Sequence, residues 1–340
     1  MKKIFEISFV YIGLVIGAGF ASGREIMEYF NNSSHTDPSG IILASFLFTI
    51  ISYIIMHHSN RFGAENFDAF IDCTSGRLAP AIKAFMLLYM FCGLFVMMSG
   101  SGALFHSALN IPRGYGIFAL AILCFIIFSF DIKGLIAVNT VMVPIMIIGL
   151  TALCISSALS DTAPVFSLFD DRLRRNPLLS AICYASYNTV TAGAVLVPLA
   201  RHTDKKTLAK SAAISSSVLG FLIFTVWLVQ SIYYNNIYNS EMPLFELAIK
   251  QGKIWETAYT AILFMALCTT AVSHGFGILS KFTFKTKTDR CLAAALLCAL
   301  AIPFAKIGFS DLVAYLYSAF GVLGLLWLGI VLFSYFRNSN

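Results

Sequence analysis

The stretch "GLVIGAGFASGREI", residues Gly13 to Ile26, decides how this chain is read. Gly17, Gly19 and Gly23 interrupt an otherwise apolar run, and an arginine and a glutamate follow at once. Each glycine weakens a helix interior by about 1 kcal/mol relative to alanine. Two uses for them stay open at this level. Gly13, Gly17 and Ala21, spaced i, i+4, i+8, make a small-residue stripe on which a second helix can pack closely. Alternatively, glycine tolerates non-helical backbone, and the helix unwinds there. Freed N–H and C=O groups cannot stay unpaired in lipid, so a bound solute and ion would satisfy them. Gly17, Ala18, Gly19 and Ser22 would then offer free N–H groups and a positive helix end to a carboxylate.

The rest of the chain sets this stretch in a membrane. Of 340 residues, 58% are hydrophobic and 12% charged, with a mean hydropathy of +0.81; soluble domains are about 25% charged. The charges cluster, leaving apolar runs long enough to cross a hydrocarbon core of ~30 Å. These runs do not alternate in polarity as β-barrel strands would. The composition indicates an all-α, polytopic membrane protein. Seven of the eight cysteines lie in apolar segments, Cys73 lies in a short loop, and none has CxxC spacing. They suggest apolar fillers rather than a zinc site or a disulfide framework. The net charge of +6 sits in loops and speaks to topology, not to nucleic acid.

Ten spans are expected, near 5–29, 40–59, 79–105, 114–130, 135–159, 178–200, 211–234, 255–281, 291–305 and 311–335. Lys and Arg in the loops, among them Lys2, Lys3, Arg61, Lys133, Lys205, Lys206, Lys210, Lys285 and Arg337, favour both termini on the cytoplasmic side. Arg172, Arg174 and Arg175 run against the bias but stand beside Asp170 and Asp171. Shifting the first five spans by 176 residues lays them on the last five, with Gly17-Ala18 on Gly193-Ala194 and Cys92 on Cys268. The short amphipathic stretches 67–77 and 243–253 also register. With five spans per copy, the second copy enters from the opposite face, the pattern of an inverted-repeat transporter. The expected organisation is a first repeat (1–160), an extracellular linker (161–177) and an inverted second repeat (178–340). Lys2-Lys3 before an apolar run and "AGFAS" also fits a secretory signal. Glu6 interrupts its apolar region, however, and losing the span would break the repeat.

"IGAGFASGREIMEYF" resembles the first helix of the YkvI-like bacterial membrane proteins, whose usual form is GAGFASGQEI; Arg24 departs from it. That group is similar to the amino acid–polyamine–organocation superfamily with the LeuT-type fold. The resemblance implies ten transmembrane helices in a 5+5 inverted repeat, helices 1 and 6 discontinuous around a central site. The second break should lie in "CYASYNTVTAGAV" (183–195), where Tyr184, Ser186, Tyr187, Asn188, Thr189 and Thr191 form a polar patch at mid-membrane depth. Such residues face a cavity or bond between helices. In span eight, Ala266, Thr269, Thr270 and Ser273 share one helix face. By resemblance, Ala266, Thr269 and Thr270 would join carbonyls near Gly13 and Ile16 around Na⁺; back-bonding of the hydroxyls to their own helix is the alternative. Proton-coupled relatives place a lysine of span five nearby. The only basic residue near span five here is Lys133, at its start, so Na⁺ is expected before H⁺, with no other cofactor. Arg24 and Asp311 would resemble an extracellular gate, unless Arg24 pairs locally with Glu28.

His57, His58, His106, His202 and His274 are scattered and lack an HExxH motif, so no metal enzyme is expected. The expected function is a cell-membrane secondary carrier of a small amino acid or related zwitterion, with the lipid bilayer as its surroundings. The rival is a non-transporting receptor on the same fold, as in spore-germinant sensors.

Overall fold

The computed structural model describes residues 1–31, 37–160, 176–240, 242–307 and 324–337, with the backbone alone at 190 and 191. Helices account for the first expected span as three short pieces: α1 (Lys2–Val15), α2 (Ala18–Ala21) and α3 (Arg24–Ile26), the last running into a π-helical turn at Met27–Asn31. Then follow α4 (Ser39–Phe62), the surface helix α5 (Phe67–Ser75), α6 (Ala79–Leu109), α7 (Arg113–Phe128) and α8 (Asp131–Ala158). The second half holds α9 (Pro177–Ala200), α10 (Lys205–Ile232), the short α11 (Tyr234–Ile237) and α12 (Pro243–Lys250), α13 (Lys253–Leu279), α14 (Lys287–Phe304) and α15 (Gly324–Arg337).

Nine of the ten expected spans coincide with described helix and the tenth does so from Gly324 onward, but among the described residues five helices are both long and apolar enough to cross a membrane: α4, α6 with its lead-in, α8, α10 and α13. The shortfall has local causes. α1 has 14 residues and α7 has 16, rising about 21 and 24 Å. α14 opens on Lys287, Asp289 and Arg290. α9 passes only as a pair of segments, Pro177–Thr189 and Ala192–Ala200, bent by 57°. Most of 311–335, Asp311 included, lies outside the described residues.

Helix ends follow the sequence punctuation. Gly63 leaves α4 in the left-handed region, with φ 62°. Asn66 caps α5 through the Ala69 N–H (2.9 Å), and Thr286 with Asp289 forms a capping box on α14. Asp204 caps α10 through the Thr207 N–H, and Thr207 holds its carboxyl below the usual range.

α13 is the central helix: 89% of its apolar window is buried, against 33% for α8. It packs on α6 and α8; α4 packs on α9 and α10, and α1 on α10 and α8. Outward faces carry apolar stripes at helical spacing, such as Phe118, Ile122 and Ile126 on α7, and Leu292, Leu296 and Leu300 on α14. A surface this apolar suits lipid. Arg201–Glu65 (2.6 Å), Lys281–Asp68 (2.5 Å) and Arg290–Asp131 (2.7 Å) tie residues of the two halves together.

Candidate functional site at the first helix

The backbone leaves helical geometry at Ile16 (φ −78°, ψ 67°) and Gly17 (φ −84°, ψ −173°). The Ile16 N–H still reaches the Ile12 carbonyl (2.8 Å), but the Gly17 N–H turns to Val15 (2.8 Å) instead of Gly13. The Gly13 carbonyl therefore loses the donor a continuous helix would supply. Helical bonding resumes with Ala21 to Gly17 and Ser22 to Ala18, both 2.8 Å. Ala18 and Gly19 thus form the first turn of a new helix, whose N–H groups have no acceptor within it.

Both glycine uses occur side by side. A Cβ at Gly13 would fall on the amide oxygen of Asn139 in α8 and 2.8 Å from Val143, so this glycine allows close packing. A Cβ at Gly17 would stand 2.9 Å from Thr270 Oγ1 in α13, so the departure from helix lies directly against the hydroxyl face of that helix.

The carbonyls just beyond are each met from another helix. Ala21 accepts from the Tyr259 hydroxyl (2.5 Å), Ser22 from the Leu244 N–H (2.9 Å) and Gly23 from Gln230 Nε2 (2.8 Å). Gly23 takes φ +81°, which favours glycine. Removing the hydroxyl in Tyr259→Phe leaves a buried carbonyl without that donor. It should destabilise the protein by about 1–3 kcal/mol, read as a lower thermal midpoint in detergent with no change in helical content.

Ser22 donates to the Gly19 carbonyl (3.0 Å) and receives the Arg24 N–H (3.3 Å). The buried Glu25 carboxylate folds against Gly19, where a Cβ would run into it. Arg24 Nη1 donates to the carbonyls of Tyr238 (3.4 Å) and Ser240 (3.1 Å). Its expected partner Asp311 lies outside the described residues.

On α13, Ala266, Thr269, Thr270 and Ser273 are all buried. Thr269 donates to the Ala266 carbonyl (3.1 Å), Ser273 to that of Thr269 (2.8 Å), and His274 Nδ1 to that of Thr270 (2.8 Å). Back-bonding therefore takes the protons of Thr269 and Ser273, while each oxygen keeps lone pairs. Thr270 Oγ1 is different: it makes no hydrogen bond to any described residue. His274 is a packed residue, its ring lying against Gly93 and 5.6 Å from Tyr89.

The polar patch of α9 is buried but turned largely on itself. Asn188 Nδ2 donates to the Tyr184 carbonyl (3.0 Å) and Thr189 to that of Ala185 (2.6 Å). The Tyr184 ring packs 5.2–5.7 Å from those of Tyr29, Phe30 and Phe48, and Tyr187 is buried. Ala18, Ser22, Gly100, Leu104, Met242, Leu263 and Leu267 line a small, partly open pocket of about 10 Å³, room for about one water. Among the described residues, no group of three His, Cys, Asp or Glu is placed to hold a metal.

No motif of the sequence marks Asn139 for this region, and none marks Glu25 for burial against Gly19. The available signal for Asn139 was a lone amide inside the apolar run "LIAVNTVMV", since a polar side chain at that depth is costly without a role.

No family model matches the chain. It is 28% identical over 333 residues to the uncharacterized membrane protein YkvI of Bacillus subtilis, covering 96% of this chain and 94% of that one. Among solved structures, it superposes on MhsT in complex with L-phenylalanine with a TM-score of 0.67 at 15% identity, covering 96% of this chain and 87% of that one. A Na⁺-coupled sialic acid symporter in a substrate-bound outward-open state gives a TM-score of 0.67 at 14% identity, covering 96% and 79%. Sequence and structure agree with the resemblance carried by the first helix: this membrane protein is similar to YkvI along nearly its whole length and has the LeuT-type fold.

Proposed function

We propose that the chain is a secondary transporter that moves a small amino acid or related zwitterion by alternating access, coupled to Na⁺. One observation carries this reading: the first helix leaves helical geometry at Ile16–Gly17 directly against Thr270, whose hydroxyl has no partner among the described residues. A Na⁺ ion would take oxygens from Gly13, Ile16, Ala266, Thr269 and Thr270, hard ligands for a hard cation. The solute's carboxylate would meet the first-turn N–H groups of Ala18 and Gly19. The fold is shared with MhsT, solved with L-phenylalanine, and with a symporter described as Na⁺-coupled.

The ten-span inverted repeat belongs to the same reading. Its support is the packing of α1 on α10, matched by α9 on α4, and the bend in α9 about two residues before the position that repeats the first-helix break. The space beside Ala18 and Ser22 is too small for an amino acid, so binding requires the helices to part. That is the motion alternating access needs.

The experiment is sodium-dependent uptake into proteoliposomes, with the solute first chosen by thermal stabilisation against an amino acid panel with and without Na⁺. Stabilisation by one zwitterion that is enhanced by Na⁺, together with flux driven by a Na⁺ gradient, is the expected result. Binding without flux would replace the transporter with a receptor.

A further inference from the structure

Asn139 is the fully buried amide of α8, a helix that contributes no residue to the cation site proposed above. Its Nδ2 donates to the Leu135 carbonyl one turn back (2.9 Å), which fixes the direction of the amide. Flipping it would set oxygen against oxygen, so the geometry assigns Oδ1 to the opposite side. There Oδ1 presses on Gly13, where any β-carbon would collide with it, and it accepts no hydrogen bond from a described residue. A buried amide oxygen left unpartnered costs free energy that an apolar side chain of similar size would avoid.

Two unpartnered oxygens therefore meet the same short piece of the first helix: Asn139 Oδ1 at Gly13 from α8, and Thr270 Oγ1 at Gly17 from α13. Between these two positions runs the segment whose Gly13 carbonyl has lost its helical donor. No N–H or O–H of the described residues answers either oxygen. The common requirement is a small species that binds oxygen lone pairs, a water or a bare monovalent cation; the Gly13 carbonyl freed beside them adds a third oxygen, and a set of oxygens alone is the donor set of a hard cation.

We propose that Asn139 Oδ1 is a ligand of the Na⁺ ion, closing the site from a third helix. This rests on the sodium reading above and adds α8 to it. The neutral amide supplies a hard oxygen without adding a charge, so the ion keeps its net charge in the site. Because α8 joins α1 and α13 through the ion, cation binding fastens three helices instead of two.

The test uses the full chain purified in detergent, its thermal midpoint titrated with NaCl against choline chloride at constant ionic strength. The wild type is expected to rise in midpoint with Na⁺ and to saturate. Asn139→Ala should shift the half-saturating Na⁺ concentration upward by about tenfold or more. Asn139→Asp, isosteric and anionic, should shift it downward. If the wild type and Thr270→Val distinguish Na⁺ from choline differently but Asn139→Ala titrates like the wild type, the Asn139 assignment is wrong and the sodium site stands. If the wild type shows no difference between Na⁺ and choline, both fall. Should Asn139→Ala fail to give a monodisperse protein, an unchanged Na⁺ titration for Asn139→Asp overturns the assignment by itself.

Discussion

Thr270→Val is expected to abolish the Na⁺ response and Na⁺-driven uptake while leaving the protein folded and no less stable in sodium-free buffer. Valine replaces the hydroxyl by a methyl of nearly the same size. The hydroxyl it removes is buried and bonds to no described residue, so folding loses no hydrogen bond to it. Leaving a buried hydroxyl unpaired costs about 1–3 kcal/mol, and its removal recovers part of that. The Na⁺ site loses one of its side-chain oxygens and gains an apolar wall, which is unfavourable for a cation stripped of water. The two readouts are thermal midpoint in choline and uptake in Na⁺, and they should move in opposite directions. A variant that loses stability in choline, or keeps full Na⁺-driven flux, would show that Thr270 is a packing residue.

Gly13→Ala is expected to destabilise the protein by about 1–3 kcal/mol through overpacking. The intrinsic preference runs the other way: alanine in place of a helical glycine favours the helix by about 1 kcal/mol. Gly13 lies inside α1 with no positive φ to protect, so a purely local account predicts stabilisation. The steric account wins because the new methyl would land on Asn139 Oδ1 and 2.8 Å from Val143, forcing α1 and α8 apart in a close-packed interior. The pair can be separated by a double-mutant cycle. Asn139→Ala in the Gly13→Ala background should restore part of the thermal midpoint, the remaining loss being the Val143 contact. It should not restore the Na⁺ response. Full additivity of the two substitutions would mean that the two side chains do not meet.

The glycine stretch shows where local reading ends. Gly13 and Gly17 lie four residues apart and look equivalent in the sequence, so one stripe for packing and one hinge for binding were alternatives. The fold divides the labour: Gly13 stays helical against α8, and Gly17 leaves the helix against α13. Neither neighbour is visible from the stretch itself. Asn139 and Thr270 stand more than a hundred residues away, and only packing brings them to the same turn. The same holds for Tyr259 and Gln230, whose donors meet the Ala21 and Gly23 carbonyls.

Some readings were limited by composition. Span lengths estimated from hydropathy ran through the helix ends, because apolar residues continue across Ile16 and Gly17 without any change in polarity. The polar patch of α9 was legible as unusual. Whether Asn188 and Thr189 face a cavity or their own helix depends on rotamers, and both donate to carbonyls four residues back. Burial of Glu25 beside Gly19 was equally hidden, since a Glu after an Arg reads as an exposed pair.

By itself, the sequence determined that this is a helical membrane protein and roughly where most of its described helices lie, though not where the first one breaks. Those properties follow from runs of apolar residues against a hydrocarbon core of ~30 Å and from the glycines, prolines and capping residues that end helices. The resemblance already implied Thr270 beside the first helix; only the tertiary structure decided that Asn139 Oδ1 meets it too and which oxygens are already spent in back-bonds. Such pairings depend on distances of a few ångströms between α1, α8 and α13, and no periodicity within a single helix encodes them.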